Sequence, residues 1–87
     1  MTVSRALSIQ RSTVPLAERK KYLERLQARR AHYQNANCQF WVFEEVGLSG
    51  AFIEFIEAAD PDTITAAMAS APHQYAEGAR VYREVEL

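Results

Sequence analysis

A chain of 87 residues holds one domain, 1–87, since a second would be too small to keep its own core. With 48% hydrophobic and 24% charged residues it is an ordinary globular mixture, and three glycines and three prolines exclude collagen-like and low-complexity chains. A net charge of −1 offers no global basic field to nucleic acid, and the single cysteine, Cys38, excludes an internal disulfide framework and a multi-cysteine zinc site.

Thr2–Val14 reads as a strand, with Val3, Leu7 and Ile9 at odd positions and Ser4, Ala6, Ser8 and Gln10 at even ones. Met1–Gln10 is too polar for a signal peptide. No stretch approaches the roughly 20 apolar residues of a membrane span, so a cytoplasmic protein with no membrane partner is expected. Thr13-Val14-Pro15 opens a helix, Leu16 to about Gln34. In it Leu16, Tyr22, Leu23, Leu26 and Tyr33 share an arc of roughly 120°. Arg19 and Arg30 fall in that arc and are expected to lay their stems along the core edge. Asn35-Ala36-Asn37 tolerates the left-handed conformation and ends the helix.

Cys38–Val46 is the second strand, Val46–Gly50 a glycine-bearing hairpin loop, and Ala51–Ala58 the third strand. Asp60 caps a second helix with Pro61 first in it; Ile64, Ala67, Met68 and Ala71 share one face, and Pro72 stops it. His73–Gly78 connects to Arg80–Leu87, which alternates as a last strand. The order is β-α-β-β-α-β, an α+β chain with the split βαβ order of ferredoxin-like folds. The expectation is an antiparallel four-stranded sheet in the order 4-1-3-2, with both helices on one face. Leu7, Ile9, Leu23, Leu26, Ile53, Phe55, Ile64, Met68, Val81 and Val85 are the expected core.

Two helices cover one face of such a sheet. Taking the odd residues of the first, third and fourth strands inward leaves Ala6, Ser8, Gln10, Phe52, Glu54, Ile56, Tyr82, Glu84 and Glu86 on the open face. The second strand is apolar on both sides, Phe40 and Val42 on one, Trp41 and Phe43 on the other, and its inward side stays open. A face this apolar calls for a cover. Its polar residues favour a second copy of the sheet enclosing a cavity.

With its element order, length and mixed open face, the chain resembles the dimeric α+β barrel superfamily, which includes the antibiotic-biosynthesis-type monooxygenases and the EthD-like and NIPSNAP-like proteins. The resemblance implies two sheets facing each other and a small hydrophobic ligand beside the sheet. The monooxygenase members imply a Trp, an Asn and a His acting on an activated substrate. Trp41, Asn35 or Asn37, and His32 are of those types, but no motif fixes their register and no role is carried over.

Other chemistry finds little support. His32, Cys38 and His73 match no metal-ligand spacing, so no metal is expected. Ser49-Gly50 lies in a hairpin loop and not on a nucleophile elbow. Gly47, Gly50 and Gly78 form no nucleotide-binding pattern, and no cofactor is expected. Residues 51–55 match half of an RNA-recognition signature, but the first strand lacks an aromatic platform, and Glu54, Glu84 and Glu86 on the open face would repel phosphate. Residues 15–34 hold six basic and two acidic residues, read as a solvated helix face.

The expected function is therefore a homodimer that binds a small, largely apolar or aromatic molecule. Gln10, Trp41, Phe52, Ile56 and Tyr82 are the candidate ligand-binding residues. Glu54, flanked by apolar side chains that would raise its proton affinity, is the candidate general base of a cofactor-independent monooxygenase or an isomerase-like enzyme. The alternative is a non-catalytic structural or regulatory interaction module.

Overall fold

The structure, a computed structural model, describes residues 5–72 and 80–87. Val3, His73 and the 73–78 connection lie outside the described residues. The order is β1 (Ala6–Thr13), a 3-10 turn (Leu16–Glu18), α1 (Arg19–Asn35), β2 (Gln39–Glu44), β3 (Ala51–Ala58), α2 (Pro61–Ala69) and β4 (Val81–Arg83). Among the described residues the four strands form one antiparallel sheet in the order β2-β3-β1-β4, with α1 packed on β2 and α2 across β1, β3 and β4. This is the ferredoxin-like arrangement, in the expected strand order.

Local chemistry sets the element ends. Asn37, at φ 62°, takes the left-handed conformation that closes α1. The Asp60 carboxylate accepts the Thr63 N–H at 2.8 Å, capping α2 with Pro61 in its first turn. The β2–β3 hairpin turns at Gly50, whose φ of 91° suits glycine. A Cβ there would also collide with the Val14 carbonyl oxygen, and the Gly50 carbonyl accepts the Val14 N–H at 2.8 Å. β4 is shorter than the alternation of residues 80–87 implied. Its Arg83 pairs with Ala6, the first residue of β1, and one further hydrogen bond joins the Glu84 N–H to the Arg5 carbonyl.

The expected inward face of the sheet is reversed. The even residues of β1 and β3 face the helices: Ala6, Ser8, Phe52, Glu54, Ile56 and Ala58 are all buried, and Phe40 joins them from β2. Leu7, Ile9, Ile53 and Phe55 are only half-buried on the other face, Leu23 is 40% exposed and Val85 73%. Of the expected core, Leu26 and Ile64 are buried, and Met68 and Val81 pack at its margin. Large residues on the helices explain the reversal. Tyr22 packs on Phe52, Tyr33 stacks on Phe40 and Arg29 pairs with Glu54, so α1 meets the even residues of β2 and β3. The Ser8 hydroxyl stays satisfied by donating to the Arg80 carbonyl at 2.9 Å. Leu26→Ala should cost about 2–5 kcal/mol, because Leu26 belongs to the buried core cluster; urea denaturation followed by circular dichroism measures it.

Candidate functional site

Tyr22, Leu26, Arg29 and Tyr33 recur at helical spacing on one narrow arc of α1, and all four are buried. Below them, mid-strand in β3, lies Glu54 at 1% exposure. The Arg29 guanidinium donates to its two carboxylate oxygens at 2.9 and 3.0 Å, and the Tyr22 hydroxyl donates to Oε2 at 2.9 Å. Burial first, and then the Glu54 charge, push the Tyr22 phenol well above its ordinary range. The Tyr22 ring also packs on Phe52, with ring centroids 4.8 Å apart. Protein side chains thus occupy the space between α1 and the sheet at Glu54.

The candidate residues divide between the two faces. Phe52, Glu54 and Ile56 are buried on the helix side, and Gln10, of the same strand parity, is half-buried there. Trp41 and Tyr82 stand on the open face, 42% and 48% exposed. One subunit therefore does not gather these six around a single cavity. Strand parity is masked in the sequence because Glu54 and Ser8 look like surface residues until Arg29, Tyr22 and the Arg80 carbonyl are in place. One signal was available: Arg29 lies seven residues after Tyr22 and so shares its buried face, and a buried arginine needs a carboxylate opposite. Phe52, the aromatic that the RNA-recognition match would display, is likewise under α1. Glu54 faces inward, so the acidic character expected of the open face is not its contribution.

The open face is apolar at its centre and polar towards its ends. One row across the sheet reads Trp41–Phe55–Ile9, the next Phe43–Ile53–Arg11, and on the other side Gln39–Glu57–Leu7–Tyr82. Phe43 and Phe55 meet edge to face at 5.6 Å. Arg11 marks one end of the field. Glu57, 3.8 Å from the Arg5 guanidinium, marks the other.

Beside the sheet an open groove of about 460 Å³ runs between α1 and β2. Leu23, Leu26, Phe40 and Val42 give it apolar walls, Gln27 and Arg30 a polar one, and Trp41 and Phe43 border it. The Arg30 Nη2 donates to the Gln27 Oε1 at 2.9 Å. Past the hairpin end of β2, Arg19 grips Glu44 through two hydrogen bonds of 2.7 and 2.9 Å, and its guanidinium lies over the Phe52 ring at 5.2 Å. Glu44 also accepts the Gly50 N–H at 2.8 Å. Arg19 first, then Gly50, pull the Glu44 carboxyl down to about 2. A depressed carboxylate stabilises above its unfolded value, 4.5, and loses that contribution as pH falls towards about 2. Glu44→Gln should therefore be less stable than the parent at neutral pH, with the gap closing across that acid window; urea midpoints measured against pH test it.

The residue types implied by monooxygenase chemistry do not converge. The His32 Nε2 is 2.7 Å from the Ala67 carbonyl of α2, on the helix side, while Trp41 is on the open face and Asn35 and Asn37 are exposed. Among the described residues no three of His, Cys, Asp and Glu are grouped to hold a metal ion, and no helix is long and apolar enough to cross a membrane. Cys38 is buried, which pushes its thiol upward.

No family model matches the chain. No curated protein matches its sequence either. Its fold is similar to the crystal structure of a conserved protein from Methanosarcina mazei Go1, with a TM-score of 0.71 at 10% identity over 95% of both chains. At that identity the likeness is one of fold alone.

Proposed function

We propose that the chain works as a homodimer stacked sheet to sheet through its open face, and that each copy holds a small, largely apolar or aromatic molecule in the groove between α1 and β2. The observation that carries this reading is the open face itself. Its central row is wholly apolar, and Trp41 within it and Phe43 beside it stand 42% and 56% exposed. A second copy suits it better than an unrelated partner because the face is self-complementary. A two-fold axis across the strands sets the Arg11 end of one copy over the Glu57 end of the other. The single buried thiol fits a cytoplasmic location.

Binding without chemistry is the favoured form. A monooxygenase- or isomerase-like reaction needs a base open to the ligand, and Glu54 is enclosed by Arg29 and Tyr22. The same enclosure supports a second reading, a purely structural or regulatory dimer. Sedimentation equilibrium of the unaltered chain at micromolar concentration should give a dimer. A clean monomer removes the sheet-to-sheet assembly.

A further inference from the structure

We infer that the α1–β2 groove recognises the carboxylate of an apolar monocarboxylic acid, with Arg30 as its anchor. The inference rests on the proposal above that the groove is the ligand site. It begins from how the arginines are used. Arg5, Arg19 and Arg29 each face a carboxylate, from Glu84, Glu44 and Glu54. Among the described residues Arg11, Arg25, Arg30, Arg80 and Arg83 are in no ion pair, and of these Arg30 lines the groove, its side chain bonded only to the neutral amide of Gln27. That bond uses one donor of a five-donor fork and holds the side chain along the helix, pre-set for a planar anion. With its oxygen occupied, the Gln27 amide keeps its NH2 as a further donor on the same wall.

The rest of the groove selects the remainder of the ligand. Its walls, Leu23, Leu26, Phe40 and Val42, offer no charge and suit an alkyl or aryl body. One arginine against an apolar wall matches a single negative charge. A phosphate dianion would ask for more donors than this wall presents. An apolar acid thus meets its charge and its body on adjacent sides of one groove.

Trp41 borders the groove and is the only tryptophan, so its indole N–H gives one reporter peak in a proton–nitrogen correlation spectrum. The full chain is titrated with 4-phenylbutyrate and with its neutral counterpart 4-phenylbutanol. The acid should bind more tightly. Arg30→Gln should weaken the acid by about tenfold or more, as losing about 1.4 kcal/mol of charge-assisted hydrogen bonding would, and leave the alcohol unchanged. Arg30→Lys, which keeps the charge but not the fork, should fall between. Arg30 is exposed, so these changes leave the core intact. Equal binding of acid and alcohol, or an acid affinity untouched by Arg30→Gln, overturns the carboxylate anchor while leaving the groove as a ligand site. If neither compound shifts the Trp41 peak, the ligand-site proposal fails and takes this inference with it.

Discussion

Glu54→Ala should cost about 3–5 kcal/mol, because it strands the Arg29 charge beneath α1 without the carboxylate that faces it. A domain of this size has only about 4–13 kcal/mol of stability in total, so the variant should lie at or near the edge of folding. Glu54→Gln should fall between, since an amide still accepts from Tyr22 or Arg29 but carries no charge. The decisive comparison is the double variant Arg29→Met with Glu54→Leu. Replacing both charges by apolar groups removes the desolvation cost along with the attraction, and should recover most of the loss. Urea unfolding of the parent, of Arg29→Met and Glu54→Leu singly, and of the double variant measures the cycle. A loss below about 1 kcal/mol for Glu54→Ala would mean that the pair is not a principal tie between α1 and the sheet.

Phe55→Asp should convert the proposed dimer to a monomer. Phe55 sits in the central row, between Trp41 and Ile9, where stacking a second sheet would desolvate a new carboxylate with no cation opposite. A two-fold axis brings two such charges to one interface, and a penalty of several kcal/mol raises the dissociation constant by about a hundredfold or more. Within the subunit the ring is half-buried and touches Phe43, so some stability is lost as well. Far-ultraviolet circular dichroism separates that loss from dissociation. Gln34→Asp, on the exposed side of α1, is the matching control and should leave the dimer intact. Dimeric Phe55→Asp would move the interface away from the open face.

Element order and strand order were legible because the signals that set them are local. Asp60-Pro61 marks a helix start whatever packs on it, and Asn37 marks a helix end. The inward face of the sheet was not legible. AFIEFIEA carries a pair of large apolar residues on each side, Phe52 with Ile56 and Ile53 with Phe55, so hydrophobicity does not choose between them. The choice came from the distant α1, where Tyr22 packs on Phe52, Tyr33 stacks on Phe40 and Arg29 requires Glu54. Placing Glu54 in a solvent-facing cavity followed the usual preference of carboxylates for water, which an ion pair 25 residues apart in sequence overrides. The α1–β2 groove was missed because its walls belong to two elements whose spacing no single segment encodes.

The two glycines of the β2–β3 hairpin set opposite limits on change. At Gly50 a side chain meets the Val14 backbone and an unfavourable φ together, while at Gly47, three residues earlier, nothing lies within 4 Å of the place a Cβ would take. The loop can thus diversify on one flank only. An inserted peptide, an affinity tag or a fluorophore belongs at position 47, where it leaves the clasp between the hairpin and the end of β1 undisturbed.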